Sequence, residues 1–203
     1  MENVSYNDII KVLMELAKDK DLANIIFVSG GIVPWLVSKR DSNRNHDDID
    51  LIVLQKNMSK IREFLNKNNL YDSSLDSLSF EESKEIDYGV DTNINGISIG
   101  FYPCEQKLDG SIIQRSFTLK KINGKKDLKV KIIPNLILED YFSKTTLPNG
   151  DNISISSLEV IKVMKEKVGR EKDLHDINEI DRIGYDLEKY KRVKKAIDNM
   201  ENI

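Results

Sequence analysis

Between His46 and Leu51 the chain reads HDDIDL and runs on into Ile52, Val53 and Leu54. A β-strand alternates its side chains with period two, so Asp48 and Asp50 share one face while Ile49, Leu51 and Val53 share the other. One register therefore serves packing and leaves two carboxylates together, and a slip of one residue would bury both charges. Asp47 falls out of phase with the pair and is expected to face away, as solvent or loop structure. Carboxylates held in this way can grip a divalent metal, although a D-x-D strand also occurs as a plain solvated edge or turn. Upstream, the apolar run Ile25–Val28 ends in Ser29-Gly30-Gly31, where glycines let backbone amides approach a phosphate without an intervening side chain. The competing reading of Gly30-Gly31 is a simple turn.

On either side of this stretch the periodicity changes with the element. Ile9, Val12, Leu13 and Leu16 are spaced for an amphipathic helix over about 5–17, and Ile61, Phe64 and Leu65 for another over 58–65, ending at Asn68-Asn69. A short helical segment holding Trp35 and Leu36 lies between the Gly-Gly pair and the basic loop of Lys39, Arg40 and Arg44. Strand-like runs follow at 78–80, 87–91, 96–102, 111–119 and 128–133. Asn95-Gly96, Asp109-Gly110 and Asn123-Gly124 are hairpin-type turns, which predicts a mainly antiparallel extension of the sheet. After Pro134 the pattern reads helical, interrupted at Pro148-Asn149-Gly150. Ser156 and Glu159 have capping-box spacing ahead of a helix through Val160 and Val168, another helix starts near Glu171, and a last one spans about 187–200. The expected organisation is 1–134 as the catalytic domain and 135–203 as a helical domain.

At 203 residues the chain can bury a sizeable core. A net charge of -3, with 32% charged residues, gives no basic field that would draw a nucleic-acid polymer. The single cysteine, Cys104, excludes an intramolecular disulfide and a thiolate cluster; it suits a reducing cytoplasm and reads as a small buried hydrophobe. No apolar run reaches the ~20 residues that cross a bilayer, and the N-terminus lacks the basic residues of a signal peptide. The expectation is a cytoplasmic protein with no membrane partner.

The order Gly30-Gly31, Arg44 and His46-Asp47-Asp48-Ile49-Asp50 resembles the nucleotidyltransferase superfamily that includes DNA polymerase β. It is most similar to the aminoglycoside and lincosamide nucleotidyltransferases. The likeness runs from about Ile25 to Val53 and thins beyond, where Ile86-Asp87-Tyr88-Gly89 and Leu138-Glu139-Asp140-Tyr141-Phe142 are similar to stretches of the aminoglycoside enzymes. Lys165 to Ile177 resembles a helical segment of the toxin-type nucleotidyltransferases of abortive-infection systems. The resemblance implies an α/β (α+β) fold: a mixed sheet flanked by helices, followed by a small C-terminal helical bundle. It also implies transfer of a nucleoside monophosphate, AMP in first place, from a nucleoside triphosphate to a hydroxylated acceptor.

In such a site Asp48 and Asp50 are the catalytic and metal-binding carboxylates, and Mg²⁺ or Mn²⁺ is the cofactor, since hard cations take oxygen ligands. Ser29, Gly30, Gly31 and Arg44 are the nucleotide-binding candidates, with Lys162 and Lys165 closing from a helix opposite the sheet. Each has a plain alternative as loop or solvated surface, and His46 is expected to shape the loop. His175, among acidic neighbours, is expected in a surface ion pair. The family's third carboxylate aligns with Gly100, a departure from the pattern that leaves Asp91 and Glu105 as possible substitutes, with Asp87 behind them. If that position is simply vacant, Gly100→Asp is expected to raise transfer. The rival reading is a nucleotide-binding or interaction protein that keeps the fold and has lost turnover.

Overall fold

The computed structural model describes residues 4–46, 48–81, 84–119 and 125–203. Asp47 and the Asn123-Gly124 turn lie outside these residues. The N-terminal half runs α1 (Tyr6–Lys18), α2 (Lys20–Ala23), β1 (Ile26–Ser29), a 3-10 turn (Gly30–Ile32), α3 (Val33–Ser38), β2 (Asp48–Leu54) and α4 (Met58–Lys67). Then come β3 (Asp76–Glu81), β4 (Lys84–Ile94), β5 (Ile97–Gln106), β6 (Ile112–Leu119) and β7 (Lys126–Ile133). The remainder is α5 (Leu138–Tyr141), β8 (Phe142–Thr146), β9 (Asn152–Ser156), α6 (Leu158–Val168), α7 (Glu171–Ile183), α8 (Leu187–Asp198) and β10 (Glu201–Asn202).

Among the described residues the strands form one sheet in the order β10-β7-β6-β5-β2-β1-β9-β8, with β4 and then β3 branching from β5. β2 pairs in parallel with β5 and antiparallel with β1, so the sheet is mixed. Along its outer edge β5 changes partner: Ile97–Phe101 pair with β4, whereas Cys104–Gln106 pair with β6. Tyr102 stands at this fork. Gly89 allows β4 to bend away there, because its φ is +112° and a Cβ would collide with the Phe101 carbonyl.

The two faces of β2 do what the alternation predicts. Ile49, Leu51 and Val53 are fully buried with Ile9, Leu13 and Leu16 of α1 and Ile61 and Leu65 of α4. On the other face Ile52 joins Cys104, Tyr141, Val160, Val163 and Val193 beneath α6 and α8. That second core stops short of Asp48 and Asp50, and the space beyond it is the cleft.

Two sequence expectations are corrected. Phe142–Ser156, read as helical, is a hairpin whose β9 pairs in parallel with β1, and Pro148-Asn149-Gly150 is its turn. Alternation over Asn152–Ser156 puts Ile153 and Ile155 in the core, a five-residue signal that the flanking helical patterns obscure. The cap of α6 is Ser157, whose hydroxyl accepts from the Val160 amide at 3.4 Å; Glu159 instead accepts from the Asp186 amide. Ser156 ends β9 and donates to the Ser29 hydroxyl at 3.0 Å.

Candidate active site

Ser29, the last residue of β1, lies directly opposite Asp50 in the antiparallel ladder. Gly30 turns the chain with φ +76°, and a Cβ there would stand 2.8 Å from Asp50 Oδ2. Both the backbone and the space against the carboxylate therefore require glycine. Gly31 is needed for another reason. A Cβ there would collide with the Arg44 guanidinium and stand 3.0 Å from Asp176 Oδ2, so its missing side chain makes room for an ion pair between the basic loop and α7.

Asp48 is exposed at the mouth of the cleft and Asp50 lies partly exposed behind it. Asp50 pairs with Gly100 on β5, and Gly100 pairs on its other side with Asp91 on β4. Residues paired across strands share a face, so Asp50, Gly100 and Asp91 form one row. Asp91 thus stands one strand beyond Gly100, in register with it. The position itself is not vacant, because a Cβ on Gly100 would collide with the ring of Tyr102. This corrects the expectation that an aspartate at 100 would simply complete the site.

Burial pushes the Asp50 carboxyl up to about 6, with the Asp48 charge adding to it and Lys131 and Lys165 opposing. Burial also pushes Asp91 up to about 6, against a lowering interaction with the Tyr102 hydroxyl. Asp91 Oδ1 is buried and has no hydrogen-bond partner among the described residues. Glu105 is excluded from the row by phase: it lies on the other face of β5, bonded to Lys107 at 2.8 Å and Arg115 at 3.1 Å. Asp87 is taken by Arg62 at 2.7 Å, which also holds Asp76.

The facing wall is α6, which turns Ile161, Met164, Lys165 and Val168 toward the cleft. Lys162 is one step round the helix. It pairs with Asp181 at 2.8 Å over the rings of Tyr185 and Tyr190 and lies outside the cleft lining. Lys165 is anchored by Asp173 at 3.0 Å and Asp176 at 2.6 Å. Asp176 is fully buried and also accepts from Trp35 Nε1 at 2.9 Å and from Arg44 at 2.8 Å. Arg44 therefore reaches the site already bound to α7. His46 is buried against the Ser42 hydroxyl at 2.9 Å and shapes the loop as expected. His175 stacks on Trp35 and bonds the Ser42 carbonyl at 3.0 Å, which replaces the surface ion pair read from sequence.

The cleft, of about 430 Å³, thus brings together Ser29, Gly30, Gly31, Arg44, Asp48, Asp50 and Lys165. Sequence reasoning missed Tyr102, Gln114, Ser116 and Lys131, which line it from β5, β6 and β7. Alternation places Lys129 and Lys131 on one face of β7, but nothing local shows that this face meets β2.

Asp48 and Asp50 offer a divalent ion hard oxygen donors, whereas Asp91, two strands from Asp50 with the Tyr102 ring over the intervening Gly100, does not line the cleft. Among the described residues no three His, Cys, Asp or Glu side chains are grouped to hold a metal ion, so the protein offers two carboxylates. That donor set fits Mg²⁺, which commonly binds one or two carboxylates and completes its shell with water and substrate phosphate.

The chain shares its fold with solved structures of nucleotidyltransferases. The chain is similar to the solution structure of the antibiotic-resistance factor ANT(2'')-Ia, with TM-score 0.57 and 14% identity over 93% of this chain and 90% of that one. The crystal structure of ANT(2'')-Ia in complex with adenylyl-2''-tobramycin matches with TM-score 0.54 and 14% identity over 93% and 96% of the two chains. An antigenic nucleotidyltransferase-like protein from Paracoccidioides brasiliensis matches with TM-score 0.51 and 14% identity over 98% and 89%. No family model matches the chain, and no curated protein matches it. Among the described residues no helix is long and apolar enough to cross a membrane.

Proposed function

We propose that the chain is a metal-dependent nucleotidyltransferase that moves a nucleoside monophosphate, AMP in first place, from a triphosphate to a hydroxyl of an acceptor. One observation carries this: within a nucleotidyltransferase fold, Asp48 and Asp50 share the cleft face of β2 directly across from the Ser29-Gly30 turn.

Asp48 and Asp50 would hold Mg²⁺ or Mn²⁺, which would offset the negative charge that develops during in-line displacement. Gly30 keeps the phosphate side open to backbone amides. Lys165, fixed from behind by Asp173 and Asp176, sets a positive charge opposite the sheet. Asp91, in register with Asp50 beyond Gly100, would take the acceptor proton as the acceptor oxygen bonds to the α-phosphorus and pyrophosphate leaves. The adenylylated product in the ANT(2'')-Ia crystal structure supports AMP as the group and a hydroxylated small molecule as the acceptor.

A second reading, nucleotide binding without turnover, is favoured by the Tyr102 ring over Gly100. Purified protein, α-labelled triphosphates, Mg²⁺ or Mn²⁺ and a cell extract separate the two. Label passing from ATP into a new product, and lost in Asp50→Asn, supports the enzyme. Metal-dependent ATP binding without transfer leaves the second reading, and no ATP binding overturns both.

A further inference from the structure

The cleft has two unlike ends. In-line displacement places leaving group and acceptor on opposite sides of the phosphorus. The glycine turn and Lys165 mark the pyrophosphate end beside β1, so the acceptor end is the wall formed by Tyr102, Gln114, Ser116 and Lys131 across β5, β6 and β7. Cys104, Gln114 and Lys131 are paired in register across those strands, so the wall is one continuous row. Gln114 Oε1 accepts from the Tyr141 hydroxyl at 3.2 Å, which leaves its NH₂ group as a donor. With Lys131 beside it, the wall offers hydrogen-bond donors and a positive charge.

Three other cations of the cleft are committed to protein carboxylates: Arg44 to Asp176 at 2.8 Å, Lys165 to Asp173 at 3.0 Å and Arg170 to Asp173 at 2.8 Å. Lys131 has no salt-bridge partner among the described residues, and its electrostatic attraction is toward Asp50. A divalent ion held by Asp48 and Asp50 would cancel that attraction and leave an unpaired ammonium in a recessed wall. Such a group favours an anion and repels a polycation.

Resting on the nucleotidyl-transfer reading above, we infer that the acceptor is a small hydroxyl compound bearing its own phosphate or carboxylate, which Lys131 holds with Ser116 and Gln114. Tobramycin, a polycation, would meet Lys131 where it needs carboxylates.

The test is binding, with the triphosphate end saturated by Mg²⁺ and α,β-methylene-ATP. Calorimetry then follows ribose 5-phosphate, ribose and tobramycin as probes. Ribose 5-phosphate should bind about 10-fold or more tighter than ribose, as one charge-assisted contact predicts. Lys131→Met should erase that difference, and Lys131→Arg should keep it. Equal or tighter binding of ribose or tobramycin, or a difference that survives Lys131→Met, overturns the inference. So does tighter binding of an oligoribonucleotide, which would place the anion on a polymer. If ribose 5-phosphate fails while the ATP analogue binds, the acceptor class alone falls. If the analogue itself fails, the nucleotide reading falls and takes the acceptor class with it.

Discussion

Asp50 carries its charge in a place that resists it. Its carboxyl stands at about 6 in the fold against an ordinary 3.8, from burial first and then the Asp48 charge. The folded state therefore holds this proton more tightly than the unfolded chain does, so stability falls as pH rises through that window. The cost is absent below about 3.8 and fully present above about 6. Asp50→Asn should raise the Tm of the metal-free protein by about 2–6 °C at pH 7, with the gain vanishing near pH 4, while abolishing metal-dependent ATP binding. Scanning calorimetry at the two pH values checks the first part, and a variant no more stable at pH 7 than the parent would contradict it. At Gly100 the obstacle is steric. Gly100→Asp should displace Tyr102, destabilise the fold by about 1–3 kcal/mol and lower transfer. Adding Tyr102→Ala should recover part of both losses, measured by urea unfolding and by product formation.

In α7 the face turned inward is charged. Asp173, Asp176, Glu179 and Ile180 are buried, and Asp176 gathers Trp35, Arg44 and Lys165. A carboxylate with three donors joins α3, the basic loop, α6 and α7 at the rim of the cleft. Removing it strands Arg44 and leaves Lys165 with Asp173 alone, so Asp176→Ala should cost about 3–5 kcal/mol, read from the urea midpoint. Gly31→Val should destabilise through the same junction by pushing Arg44 off Asp176, and its loss of nucleotide affinity should come with a lower Tm. A normal Tm would restore the simpler account of steric exclusion at the phosphate. The acidic spacing of α7 is visible in the sequence, yet it reads as a solvated face, since Arg44, which pairs with Asp176, lies 132 positions away.

Across the whole molecule the chain returns to its start. β9 pairs with β1, and Ile153, Ile155, Ile161 and Ile180 complete the core begun by α1 and β2. A fragment ending at Pro134 would leave β1 without that neighbour and the core open on one side. It should lack a cooperative thermal transition by circular dichroism; a fragment that melts sharply would show that residues 1–134 fold alone. What the sequence by itself determined is whatever depends on near neighbours. The phase of Asp48 and Asp50, the core role of Ile49, Leu51 and Val53, the Ser29-Gly30 turn and the helices α1 and α4 all follow from periods of two and 3.6 and from the steric freedom of glycine. Only the tertiary structure decided that Asp91 stands in register beyond Gly100, that Tyr102 fills the gap between, that Lys165 faces the cleft while Lys162 does not, and that Lys131 closes the far wall. Those placements depend on strand order and on which helix face meets the sheet, and such long-range pairings leave no period in the chain to read.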